Sequence, residues 1–324
     1  MTTELRIRGV DVVFKFQWIP KGVAIQNFAF SSIDNSYSYT TQRQGNNTIL
    51  IKYHRSYDVV SSNGVWQQDL TNYGHGETLE CTPSTVASKE FIWVGCEANT
   101  AVTNCWSTRI ARLYVLHNGD GFAIEKVKIL KNFKYATADG RALNSGTVKR
   151  LIATIDETYS RICFRIHFPG NDSGDSVYYA IYDLAKINKL LNKAETTVSM
   201  KDAKDAYIMG FKAESTKLFQ GMALRGNNKL YISSGDLNDS IPNMIKEYTY
   251  NRNGMTLNRE FNVELDNSVS NVVGDKSLSS AEIEGIKVYN SSVYMTLNFM
   301  KNAAGVDLKD HANGTPLIAK SIPD

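Results

Sequence analysis

Ala24-Ile25-Gln26-Asn27-Phe28-Ala29-Phe30 sets a pattern of one polar residue, alternating apolar positions and a turn, followed by a second β-rich run. The pattern recurs at Thr78-Leu79-Glu80-Cys81, at Leu218-Phe219-Gln220-Gly221-Met222-Ala223-Leu224 and at Glu282-Ile283-Glu284-Gly285-Ile286-Lys287-Val288. A fainter copy, Thr147-Val148-Lys149-Arg150-Leu151-Ile152-Ala153, fills the gap between the second and third of these. A fixed period outranks local propensity, because each copy is one supersecondary unit that buries its apolar face only against its neighbours.

Each copy is followed by a second strand pattern: Ser36–Thr41, Glu90–Val94, Arg161–Ile166, Lys229–Ser234 and Ser292–Leu297. Asx-rich turns before several of them read as hairpins. Third strands follow in most units, as in Thr48-Ile49-Leu50-Ile51-Lys52-Tyr53 and Arg109-Ile110-Ala111-Arg112-Leu113-Tyr114-Val115. Repeated three- to four-stranded antiparallel sheets predict an all-β fold, a five-bladed β-propeller spanning 1–324 as a single domain. One or two β-sandwiches are the alternative. They give no reason to place Gln or Glu at the same point of every first strand, whereas inner strands converging on a channel do.

The run 10–18, Val-Asp-Val-Val-Phe-Lys-Phe-Gln-Trp, alternates like a strand, and so does the stretch from Pro316 to Ile322. Together they predict closure of the ring by an N-terminal strand pairing in the last blade, which removes an open edge. Asp183 to Lys193 carries Leu184, Ile187, Leu190 and Leu191 at helical spacing and is the one convincing helix pattern.

Lys and Arg number 36 against 33 Asp and Glu, interspersed, for a net charge of +3. This argues against nucleic acid as a partner. No run of 18 apolar residues reads as a membrane span, and Met1 to Arg8 lacks the apolar core of a signal peptide. Cys81, Cys96, Cys105 and Cys163 have no zinc spacing; Cys96 and Cys105 flank a loop that an oxidising compartment would allow to be bridged, while Cys81 and Cys163 fit strand interiors. No cofactor is implied. Asn171-Asp172-Ser173-Gly174-Asp175 and Asp236-Leu237-Asn238-Asp239 resemble fragments of calcium loops, but these are also ordinary turn residues.

Nucleophile elbows, zinc-protease helices and phosphate loops are missing from the sequence. Tyr73-Gly74-His75-Gly76-Glu77-Thr78-Leu79-Glu80 is the notable segment, since glycines on both sides of His75 permit a tight turn and close approach of another segment. Its imidazole is either a ligand contact or a turn residue bonded to backbone.

Gly74-His75-Gly76-Glu77, Ile110-Ala111-Arg112, Phe219-Gln220-Gly221-Met222-Ala223 with Leu230-Tyr231-Ile232-Ser233-Ser234-Gly235, and Glu284-Gly285-Ile286 together resemble the helveticin J group of large heat-labile bacteriocins from lactobacilli. The chain is more distantly similar to the propeller shared by teichoic acid biosynthesis protein C and receptor-binding proteins of staphylococcal phages. The resemblance implies a secreted or cell-surface antibacterial protein without a recognisable signal peptide.

Two functions then compete: a non-enzymatic protein that binds a bacterial cell-wall polymer or surface glycan, and a hydrolase of wall teichoic acid or glycan. For binding, Tyr57, Asn72, Tyr73, Asn171, Asn238 and Asn243 supply rings and amides of the kind that hold sugars. For hydrolysis, Glu77, Glu80 or Glu284 with His75 would act as acid and base. Gln26, Glu80, Gln220 and Glu284 are expected in one ring around the axis, with Lys149 or Arg150 offsetting the acids. His75, Glu77 and Arg112 are expected to meet at a channel mouth, where an imidazole gaining charge in mildly acid medium would strengthen binding of an anionic polymer.

Overall fold

The computed structural model describes residues 3–7, 11–16, 24–55, 64–118, 121–170, 175–213, 218–235, 243–263, 281–299 and 315–321. Two strands open the chain, β1 (Thr3–Ile7) and β2 (Asp11–Phe16). The first sheet follows, with β3 (Ile25–Phe30), β4 (Tyr37–Gln44), β5 (Asn47–His54) and β6 (Gly64–Leu70) in that order. The second holds β7 (Leu79–Pro83), β8 (Lys89–Ala98), β9 (Ser107–Asn118) and β10 (Gly121–Lys131). The third runs β11 (Arg150–Ile155), β12 (Arg161–Phe168) and β13 (Ser176–Asp183). Helix α1 (Leu184–Lys193) and the short β14 (Thr197–Ser199) then precede its last strand, β15 (Tyr207–Ala213). The fourth holds β16 (Phe219–Arg225), β17 (Lys229–Ser234), β18 (Met244–Asn251) and β19 (Gly254–Val263). The fifth has β20 (Ala281–Tyr289), β21 (Ser292–Phe299) and β22 (Thr315–Ser321).

The result is an all-β propeller arrangement. Four sheets each take their antiparallel strands from one stretch of chain, while the fifth is composite, β2 lying antiparallel on β22 as its outermost strand. That pairing is the closure expected from the N-terminal alternation. Two parallel additions carried no signal in the sequence: β1 extends the fourth sheet at β19, and β14 extends the second at β10. Inner strands touch in the cycle β3, β7, β11, β16, β20 and back to β3. The third inner strand begins at Arg150 rather than at residue 147.

Apolar side chains fill the seams between sheets instead of one central core, as radial stacking requires. Ala29, Tyr39 and Leu50 of the first sheet meet Leu79, Ile92 and Leu113 of the second. Trp93 and Ile110 of the second meet Leu151, Phe164 and Ile166 of the third, with Leu184, Ile187 and Leu191 of α1 covering the rim. Asp183 caps this helix by accepting from Lys186 N at 2.9 Å. Phe16 of β2 joins Ile49, Ile51 and Tyr53 of the first sheet across the closure seam.

Three inner strands are bulged at the recurring polar residue. Register slips by one between Ile25 and Asn27, between Phe219 and Gly221, and between Ile283 and Ile286. The extra residues are Gln26, Gln220 and Glu284, the last with Gly285. A bulge re-aims a side chain and bends its strand, which suits a strand converging on an axis. The glycines that follow are there because the next sheet presses close. A Cβ on Gly221 would lie 2.8 Å from Glu284 O, and one on Gly285 would lie 2.6 Å from Asn27 Oδ1.

All four cysteines are free thiols, so the bridge between Cys96 and Cys105 is not made; Cys81, Cys96 and Cys163 are buried. Tyr57 and positions 171–174 and 236–239, which include the calcium-like runs, lie outside the described residues.

Candidate functional site

Gly74 and Gly76 both hold left-handed φ values, +87° and +92°, and pin the His75 turn to the first sheet. Thr48 Oγ1 donates to Gly74 O at 2.9 Å and Thr41 Oγ1 to Gly76 O at 2.6 Å. This delivers Glu77 to the channel at the level of the bulges. Arg150 donates through Nε to Glu77 Oε2 at 3.0 Å, and through Nη2 to Oε1 and to Phe219 O. The guanidinium also lies 4.9 Å from the Trp106 ring centre and 5.0 Å from that of Phe219. Burial would raise the Glu77 carboxyl, but Arg150 and His75, whose Nδ1 is 3.5 Å away, outweigh it and hold the group at about 2.

Glu284, buried at the same level, behaves oppositely. Burial first, then the carboxylates of Glu282 and Glu77, push it well above the ordinary range against the pull of Arg150. Gln220 Nε2 donates to Gly235 O at 3.0 Å and to Glu282 Oε1. The charge that offsets this layer is Arg150. Lys149 points elsewhere, to Asp175 Oδ2 at 3.0 Å, which also meets His167 Nε2 at 2.6 Å.

Three residues further along the inner strands stand Ala29, Glu80, Ala153, Ala223 and Lys287. Glu80 therefore belongs to a second layer, and Glu77 is the counterpart of Gln26. Lys287 Nζ reaches from the fifth sheet to Glu80 Oε1 of the second at 2.5 Å. Both are buried, and desolvation pushes the Glu80 carboxyl up against the attraction of Lys287.

Beyond this pair the axis opens into a cavity of about 110 Å³. Every inner strand contributes to its wall: Ala29 and Phe30, Glu80 and Cys81, Thr154 and Ile155, Ala223 and Leu224, Lys287 and Tyr289. The hairpin between β11 and β12 overhangs it with Glu157 and Tyr159. Asp156 locks that hairpin, accepting from Ser160 N at 2.7 Å, Ser160 Oγ at 2.6 Å, Arg161 N at 3.0 Å and Thr158 Oγ1 at 2.9 Å. Tyr159 is thereby held at φ 55°, an uncommon conformation for an aromatic residue, and the residue is 38% exposed. Tyr289 is 37% exposed on the opposite rim. Arg55 lies 4.4 Å over the Phe30 ring. Glu157 Oε1 is 3.8 Å from Arg225 Nε, while its buried Oε2 has no partner.

His75 and Glu77 do meet, but Arg112 does not join them. It sits on β9, where Nη1 and Nη2 are held by Asn188 and Asn192 of α1 and the guanidinium lies 4.2 Å from the centre of the Phe91 ring. Burial lowers it to about 10, and it ties the helix to the second sheet. Sequence reasoning missed Tyr159, Glu157, Tyr289 and Lys287. The short turn Asp156-Glu157-Thr158-Tyr159-Ser160 was a usable signal, since an Asp whose side chain bonds the backbone ahead of it marks a tight turn. Also unread was a buried knot at the seam of the first two sheets, where Glu90 accepts from Tyr39 Oη at 2.7 Å, from Ser32 N at 2.8 Å, and lies 2.6 Å from His117 Nε2.

Among the described residues no group of three or more His, Cys, Asp and Glu side chains is placed to hold a metal, and no helix is long and apolar enough to cross a membrane. Solved structures similar to this chain include a mannose phosphorylase from Leishmania mexicana, 6% identical with a TM-score of 0.46 over 98% of this chain and 89% of that one. An exo-β-1,3-galactanase from Phanerochaete chrysosporium is 9% identical, TM-score 0.45, over 96% and 64%. A putative glucose dehydrogenase from Thermus thermophilus is 10% identical, TM-score 0.47, over 96% and 99%. No curated protein matches the chain. The family model for bacteriocin helveticin-J matches residues 22–313, nearly the whole chain, and the protein belongs to that family.

Proposed function

We propose that this is an antibacterial protein, secreted or held at the cell surface, that recognises a polymer or glycan of the Gram-positive cell wall through the cavity at the axial mouth. Membership in a bacteriocin family supports the antibacterial part. The observation that carries the binding part is the cavity itself, into which the ends of all the inner strands converge and whose floor carries the pair Glu80 and Lys287. A half-open, mixed-polarity cup with aromatic rims suits a ligand rather than a conduit. The contact cycle of inner strands and the pairing of β2 on β22 support reading the five sheets as five blades.

Hydrolysis is the weaker reading. Glu77 and Glu80, two of the acids expected to act, are held in ion pairs by Arg150 and Lys287, which disfavours them as acid and base. The experiment is sedimentation of the purified protein with walls of sensitive cells before and after chemical removal of their secondary polymers. Binding should fall with stripping, and no reducing ends or phosphate should be released. Undiminished binding to stripped walls would sink the polymer reading, and release of fragments would favour the hydrolase.

A further inference from the structure

We infer that the axial cavity is a subsite for one non-anionic pyranose unit, such as a glycosyl substituent of a wall polymer, and that Tyr159 is its principal platform. This rests on the binding function proposed above and narrows it to a ligand class. The cavity of about 110 Å³ corresponds to the room of roughly seven to ten waters, enough for a single sugar ring and too little for an extended chain.

The wall chemistry argues for hydroxyls. Tyr159 and Tyr289 stand half-exposed at the rim, where the face of a sugar ring can stack on a phenol. Glu157 Oε2 is a buried acceptor without a donor, which a ligand hydroxyl would satisfy. Glu80 and Lys287 on the floor keep further lone pairs and protons for a second hydroxyl.

The same wall disfavours phosphate. Its carboxylates, Glu80, Asp156 and Glu157, stand against Lys287 and Arg55 on the wall and Arg225, 3.8 Å from Glu157 Oε1. Of these, Lys287 already pairs with Glu80, and Arg55 lies over Phe30. An incoming anion would meet as many carboxylates as cations, with no surplus of positive charge to hold it. The backbone of Tyr159 points the same way, since a left-handed aromatic residue costs stability that Gly or Asn would not, and such strain concentrates where a side chain contacts a ligand.

Tyr159→Gly is the informative variant, because glycine accepts φ 55° without strain and removes only the ring. Saturation-transfer NMR on the full chain, with glucose, galactose and N-acetylglucosamine and with glycerol phosphate as the anionic comparator, reads the site directly. Transfer from at least one sugar and little from glycerol phosphate is expected. Tyr159→Gly should bind about tenfold more weakly with an unchanged or higher Tm, and Tyr289→Ala, on the opposite rim, should weaken the same sugar. No transfer from any sugar, stronger transfer from glycerol phosphate, or wild-type sugar binding by both variants would overturn the assignment. Cell-wall binding retained in a Tyr159→Gly protein that no longer binds sugar would overturn this subsite alone. Sugar binding without any wall binding would overturn the surface-recognition function instead.

Discussion

Glu77 and Arg150 form a doubly hydrogen-bonded ion pair where water is nearly excluded, so each is tolerated only because the other is present. Glu77→Gln leaves a buried guanidinium without its counter-charge and should cost about 3–5 kcal/mol, read as a lower urea midpoint with unchanged m. The carboxyl is held at about 2 in the folded protein against 4.5 for an ordinary one. Its stabilisation is therefore complete above the unfolded value and is lost as pH falls from about 4.5 towards about 2. Acid unfolding in that window should be shallower in Glu77→Gln. Glu284 has the reverse linkage. Its raised folded value means that ionisation of the unfolded chain costs the native state as pH rises above the ordinary carboxylate range. Glu284→Gln should leave Tm unchanged in acid and raise it at alkaline pH, and equal Tm shifts at both would show the carboxyl to be ordinary.

At the scale of the strand, the polar residue and the glycine after it are one device: a bulge that turns a side chain to the axis, and a bare backbone against which the next sheet rests. Gly285→Ala would place a methyl 2.9 Å from Asn27 Cα and 2.6 Å from its Oδ1, and should cost about 1–3 kcal/mol through overpacking. Gly226→Ala, with nothing within 4 Å, is the matched control and should be near neutral. Equal losses would assign the effect to backbone freedom instead of the close approach. The recurrence of Gln or Glu was legible because the channel demands polarity at that point in every repeat, and helix α1 was legible from its spacing. The register was less so. In the second repeat, Glu77 and Glu80 both fit the pattern, and only the position of Arg150 shows which lies level with Gln26. Nor was Arg112 readable, because its partners Asn188 and Asn192 arrive from an inserted helix 76 and 80 residues away. The cavity rim was missed because it is built from hairpin turns, whose side chains obey no periodicity.

Across the whole molecule, the first and last described strands are spent on closing the ring. Through β2 the N-terminal segment completes the fifth sheet, and through β1 it extends the fourth, so two adjacent sheets are tied by residues remote from them in sequence. Phe16 is the side chain that carries this closure into the core. It is fully buried among Ile49, Ile51 and Tyr53 of the first sheet, with its ring centre 4.9 Å from that of Tyr53. Phe164, equally buried, packs on Phe133 within the seam of the second and third sheets, where the chain is continuous. Either residue replaced by alanine should cost about 3–5 kcal/mol. The two losses should nevertheless differ in kind. Opening the closure seam frees an edge and lets the ring unzip from its ends, because each sheet is held mainly by its neighbours. Amide exchange in Phe16→Ala should therefore rise first in β2, β21 and β22, and only weakly in β12 and β13. In Phe164→Ala the order should reverse. A uniform rise in exchange over all the sheets in Phe16→Ala would mean that the ring opens only by global unfolding, and that the closure holds no stability separable from the rest.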